Sequence, residues 1–216
     1  MNYKDIRQEV IDASLKAQRL GLIRGTSGNI SLKSTDGKVI AITPSAIPYE
    51  DLRPEMIPLV DEMGNVLEGT CKPSSELPMH TAVLRARPEQ RAVVHTHSKC
   101  STILSVIEEP LPVMTIPMVQ YSPHTVPIIP FFLPGSLELA EAVTEAIGKT
   151  NMAVLLGQHG LLTVGPTLQD AMSCAEYVEE AAEIALYCKL ITGKLKALPG
   201  ESVKALLAIL ESGRAV

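Results

Sequence analysis

Residues 91–97 read Arg-Ala-Val-Val-His-Thr-His, and this stretch decides the fold. The apolar run before the first histidine has no polar alternation, as expected of a strand buried on both faces within a sheet covered by helices. The run closes on His95-Thr96-His97. Residues two apart on a strand point the same way, so the two imidazoles stand side by side. Upstream, Ser74 and Ser75 are good N-caps for a helix from Glu76 to Arg87, with Pro78 in the first turn, where proline is tolerated. Downstream, a helix is predicted over about 98–107.

Working outward, Ile6, Val10, Ile11, Leu15 and Leu20 recur at helical spacing over residues 3–20, and Gly21 suits a C-cap. The glycine-containing loop GLIRGTSGNISLK leads into a strand near 29–33, and Asp36-Gly37 predicts a hairpin turn to a strand at 38–43. TPSAIPYEDLRPEM reads as loop with one helical turn, and MIPLVD as a further strand. The proline-rich stretch 110–134 reads as loop plus a short strand. A helix at 136–148, a strand at 152–156, a tight turn at Gln158-His159-Gly160 and the strand LLTV follow. A long helix from Thr167 to Ile191 and a last one at 201–212 complete the pattern. Together these elements describe an α/β layered domain. No repeat or linker divides the chain, so one domain over 1–216 is expected.

Of the 216 residues, 46% are hydrophobic and 20% charged, a globular balance, and the net charge of −5 leaves no basic footprint for nucleic acid. Cys71, Cys100, Cys174 and Cys188 form no C-x-x-C pair and read as reduced thiols. The charged N-terminus has no signal-like apolar segment, and no run approaches the ~18 apolar residues of a membrane span. A cytoplasmic protein without a membrane partner is the expectation.

The five histidines are His80, His95, His97, His124 and His159. H-x-H alone is a weak sign that equally suits two partly exposed histidines. His159 in LLGQHG adds a third imidazole at a strand end. Three such histidines without cysteine pairs suit a catalytic metal site that keeps a position open. Zinc fits this donor set, and ligand types alone leave manganese or cobalt open. Glu76 at a helix start has a bland reading, a carboxylate favoured by the helix dipole. Ser74 and Ser75 at the same start, and Gly25, Gly28 and Asn29 in GTSGN, are candidate phosphate seats. There is no P-loop, dinucleotide fingerprint or G-x-S-x-G motif. His80 follows Glu76 by four residues on the same helical face, which suits either a partner to the site or a core position. Lys72 and Lys99 flank the motifs and read as solvated.

In order, GTSGNIS, ITPSAIPYEDL, PSSELPMHTAVLRARP, AVVHTHS and LLGQHGLLTVG resemble the class II aldolase/adducin family over about residues 5 to 190. The resemblance implies a three-layer α/β/α domain with a central mixed, largely antiparallel sheet, assembled as a homotetramer with sites at subunit interfaces. It implies zinc on His95, His97 and His159, with Glu76 both a resting ligand and the catalytic acid/base. A phosphate pocket falls on Gly28, Asn29, Ser45, Ala46, Ser74 and Ser75; aldolases of the family usually have Thr-Gly where Ser45-Ala46 stands. The implied reaction is cleavage of a small phosphorylated ketose to dihydroxyacetone phosphate and an aldehyde through a metal-stabilised enediolate. The epimerase branch carries Asp at the position of Glu76, which argues against epimerisation.

Ile116 aligns with the tyrosine that serves as acid from the adjacent subunit, leaving Tyr121 and His124 as substitutes. TVPIIPFFLPGSLELAEAV is nearer to the branch of decarboxylases acting on 3-oxo-tetronate 4-phosphate, which makes decarboxylation the competing expectation. A methylthioribulose-phosphate dehydratase ranks below these, and a non-catalytic adducin-like module is disfavoured because all four metal-site residues are present.

Overall fold

The computed structural model describes residues 3–212. In chain order its elements are helix α1 (Lys4–Arg19), strands β1 (Asn29–Lys33), β2 (Ile40–Ile42), β3 (Leu59–Val60) and β4 (Val66–Glu68), and helix α2 (Leu77–Ala86). Then come β5 (Ala92–Thr96), α3 (Lys99–Val106), α4 (Ile116–Tyr121), β6 (Ile128–Ile129) and α5 (Leu137–Ile147). The hairpin β7 (Ala153–Leu156) and β8 (Gly160–Gly165) precedes α6 (Leu168–Thr192) and α7 (Gly200–Glu211). The strands form one sheet in the order β4-β3-β2-β1-β5-β8-β7-β6. Each neighbouring pair is antiparallel except β6–β7.

Strand alternation divides the core into two layers. Ile30, Leu32, Ala92, Val94 and Leu161 face α1, α3 and α6. Ile40, Val93, Leu162 and Val164 face the pair α2 and α5. The sheet is therefore sandwiched between helices, and β5 is buried on both faces as its apolar run requires. α6 lies close on the sheet because its inner face is built of Ala171, Ala175, Ala181, Ala182 and Ala185, all buried. Thr167 caps its start, accepting from the Asp170 N–H at 3.1 Å, and Gly193 ends it in the left-handed conformation. No helix among the described residues is long and apolar enough to cross a membrane.

Two elements depart from the sequence expectation. The 110–134 stretch contains α4, where Pro117 sits in the first turn and so opens a helix that Met118 and Val119 anchor in the core. β4, an exposed edge strand, has no buried face and so no alternation to betray it.

Candidate metal centre

Three adjacent strands and one helix start converge. His95 lies near the end of β5, opposite Asn29 of β1 on one side and Leu162 of β8 on the other. His97 follows just past β5 on the same face, and His159 occupies the turn between β7 and β8. That turn is closed by the pairing of Leu156 with Gly160, with Gln158 at φ +53°. A Cβ on Gly160 would run into the Thr96 carbonyl, so only glycine lets the two backbones approach there and bring His159 beside His97. Glu76 is itself the N-cap residue of α2, and the Ser74 hydroxyl accepts from its N–H at 3.2 Å. The helix thus begins one residue later than the sequence suggests, and Ser74 steadies the carboxylate-bearing residue.

The ligand atoms of Glu76, His95, His97 and His159 lie within 4.8 Å of one another. Glu76 Oε2 stands 3.2 Å from His95 Nε2, Oε1 stands 3.5 Å from His159 Nε2, and the Nε2 atoms of His95 and His97 are 2.9 Å apart. The donor chemistry fits a cation. His95 Nδ1 lies 2.9 Å from the Leu161 carbonyl, which only accepts, so Nδ1 carries a proton and Nε2 is the ring atom turned to the cluster. That nitrogen faces a carboxylate oxygen and another imidazole nitrogen. Glu76 Oε1 is buried with no hydrogen-bond partner. A buried carboxylate oxygen without a donor is costly, and a divalent cation at the centre of these four groups would supply what Oε1 lacks.

Titration agrees with this. Burial, then the neighbouring imidazoles, pushes His97 and His159 down to about 4, with Glu76 opposing, so both are neutral and able to ligate near pH 7. Burial pushes the Glu76 carboxyl up, but His95, the Asn29 amide and His159 outweigh it and hold the group ionised, well below the usual carboxylate range.

The six residues of the expected phosphate pocket fall on three joined segments, Gly28 with Asn29 at the start of β1, Ser45 with Ala46, and Ser74 with Ser75. The Ser45 N–H donates to Lys72 O, the Ser74 N–H to Thr43 O, and the Ile30 N–H to the Thr43 hydroxyl, so the segments at Gly28, Ser45 and Ser74 are laced together. The Asn29 side chain is turned elsewhere: its amide nitrogen donates to Glu76 Oε2 at 2.8 Å and its oxygen lies 2.5 Å from His80 Nε2. Sequence reading missed Tyr49, whose buried hydroxyl donates to the Gly28 carbonyl at 2.7 Å and fixes that loop; its signal is an aromatic in the polar segment PYEDL. Tyr121 stacks on Tyr177 with centroids 5.3 Å apart, and His124 is exposed; neither belongs to the four-residue cluster of its own chain.

Ala46 is exposed at φ +57°, where a Cβ costs about 1–2 kcal/mol. Ala46→Gly should therefore raise stability by about 0.5–1 kcal/mol after glycine's own entropy cost is subtracted, read from chemical denaturation. A loss of stability would show that the methyl group is favourably packed.

His80 is completely buried, and burial above all, with His95 adding, pushes it down to about 3. In the unfolded chain its imidazole takes a proton below about pH 6.5. Its folded pKa is depressed, so this contribution to stability is whole above about pH 6.5 and is lost as pH falls towards 3. The metal-free protein should lose up to about 1.4 kcal/mol per pH unit relative to His80→Gln in that window. Parallel melting curves for the two proteins at pH 7 and pH 5 would contradict it.

Residues 8–186 match the model of the "Class II Aldolase and Adducin N-terminal domain" family. The chain belongs to this family. Among its relatives, an L-fuculose phosphate aldolase of Haemophilus influenzae is 38% identical over 196 residues, 91% of this chain and 88% of the relative. A 5-methylthioribulose-1-phosphate/5-deoxyribulose-1-phosphate aldolase of Rhodospirillum rubrum is 35% identical over 94% of this chain and 89% of its own length. A solved L-fuculose 1-phosphate aldolase superposes with a TM-score of 0.92 at 32% identity, covering 98% of both chains. As a class II aldolase family member the chain is a metal-dependent lyase, and the Glu76–histidine cluster is a group that can hold the metal.

Proposed function

We propose that the protein is a zinc-dependent aldolase that cleaves a short ketose 1-phosphate to dihydroxyacetone phosphate and an aldehyde. The observation that carries this is the buried Glu76 carboxylate set among the ring nitrogens of His95, His97 and His159, with its Oε1 lacking any hydrogen-bond partner. His95, His97 and His159 would hold the zinc, with Glu76 as a fourth ligand at rest. The bound metal supplies Lewis-acid polarisation of the substrate's carbonyl and neighbouring hydroxyl oxygens. The hydroxyls of Ser45, Ser74 and Ser75 and the backbone at Gly28 seat the phosphate without a charged side chain. The Glu76 carboxylate moves the proton at the carbon beside the carbonyl. A second proton, on the hydroxyl of the bond that breaks, needs a separate group. Tyr121 and His124 of a neighbouring subunit in a homotetramer are the candidates.

The relatives named above support the aldol reaction, since each carries the name of an aldolase of a sugar phosphate, fuculose phosphate or a ribulose 1-phosphate derivative. One observation favours a second reading, decarboxylation of a 3-oxo-tetronate 4-phosphate. Ile116, half-exposed at the head of α4, stands where the resemblance calls for the residue that exchanges a proton with the leaving fragment's oxygen, and loss of carbon dioxide needs no such residue. Phosphorus NMR of the zinc-loaded protein separates the two. Dihydroxyacetone phosphate from fuculose 1-phosphate supports the aldolase. The same product from 3-oxo-tetronate 4-phosphate alone supports the decarboxylase and overturns the first reading.

A further inference from the structure

We propose that His80, backed by Ser31, is a positioning residue for Glu76 that acts by fixing the rotation of the Asn29 side-chain amide. The proposal rests on the reading of Glu76 as the acid/base. Its geometry comes from a match of two periods. Asn29 and Ser31 are two apart on β1 and share a face, while Glu76 and His80 are four apart at the head of α2. Two strand residues span about 6.6 Å and four helical residues about 6 Å, so the two pairs lie alongside one another.

Hydrogen-bond polarity then determines every orientation. Ionised Glu76 only accepts, so the Asn29 nitrogen faces it, 2.8 Å from Oε2. The Asn29 oxygen therefore faces His80 Nε2 at 2.5 Å, and that nitrogen must carry the proton. His80 Nδ1 is then bare and accepts from the Ser31 hydroxyl at 2.7 Å. Ser31 and His80 are fully buried and Asn29 is nearly so.

A flipped Asn29 amide would set oxygen against carboxylate and N–H against N–H, two mismatches where the native state has none. The consequence falls on Glu76: Oε2 is held by Asn29, and Oε1 is left without a hydrogen-bond partner, free for the reacting proton. A neutral amide in the middle of the chain passes no proton, so His80 orients the carboxylate and does not titrate it.

The test uses the full-length, zinc-loaded protein with His80→Phe, His80→Gln and, as reference, Glu76→Gln. His80→Phe should lower kcat about 10- to 100-fold, the range for partners one step out from a metal site. KM should change by less than about 3-fold, and one zinc per chain should be retained. Its acid limb of kcat against pH should move upward, because Glu76 loses an ordered donor. His80→Gln, whose amide N–H reaches for the Asn29 oxygen, should restore most of the turnover and return the acid limb.

Nitrogen NMR of histidine-labelled wild-type protein needs no variant and should show His80 protonated on Nε2 and bare on Nδ1. The opposite tautomer would overturn the proposal. So would wild-type kcat and an unmoved acid limb in folded His80→Phe while Glu76→Gln is inactive. Full turnover by Glu76→Gln would instead overturn the reading of Glu76 beneath it.

Discussion

Glu76→Gln is expected to lower kcat by about 10²- to 10⁴-fold, the usual contribution of a positioned acid/base, while the protein still binds one metal per chain. Glutamine keeps the volume of the side chain, and its amide oxygen still accepts from Asn29 Nδ2, so the fold around α2 has no reason to change. It loses the ability to take a proton, and the three imidazoles remain as a sufficient metal set. Stopped turnover with metal retained separates a chemical role for the carboxylate from a merely ligating one. Activity at the wild-type level in that variant would remove Glu76 from the mechanism.

The second large effect is the loss of the metal itself. His95→Ala combined with His97→Ala leaves Glu76 and His159, too few donors for a four-ligand site. Metal analysis after dialysis should find well under one tenth of an equivalent per chain, and lyase activity should fall to background. His95 also ties β5 to the Leu161 carbonyl, so its removal from the sheet interior should cost about 1 kcal/mol of stability. A melting curve therefore belongs beside the metal analysis. Unchanged metal content in a folded double variant would mean that the metal binds elsewhere.

Much of this site is legible in the sequence because local rules carry it. The apolar run before His95 fixes a buried strand, alternation puts His95 and His97 on one face, and a glycine-flanked turn projects His159 at the sheet edge. What brings these together is not local. His159 reaches His95 only because β8 pairs with β5, and the partner of His80 depends on β1 lying in register with β5 so that Asn29 stands opposite His95. Spacing from Glu76 places His80 on the right face of α2 but does not say what that face meets. Asn29 reads from its glycine-rich loop as a phosphate contact, whereas the fold turns its side chain to Glu76 and His80. Tyr49 escapes notice because its hydroxyl bonds a carbonyl of Gly28, 21 residues away in sequence. The helix α4 hides behind prolines that mark a helix start as readily as a loop.

The most direct test is to strip the wild-type protein of metal with a chelator and follow dihydroxyacetone phosphate release from fuculose 1-phosphate as zinc is returned. No turnover is expected in the metal-free protein, with recovery that saturates at one zinc per chain and no recovery in the His95→Ala, His97→Ala variant. Undiminished turnover by the metal-free wild-type protein would contradict it.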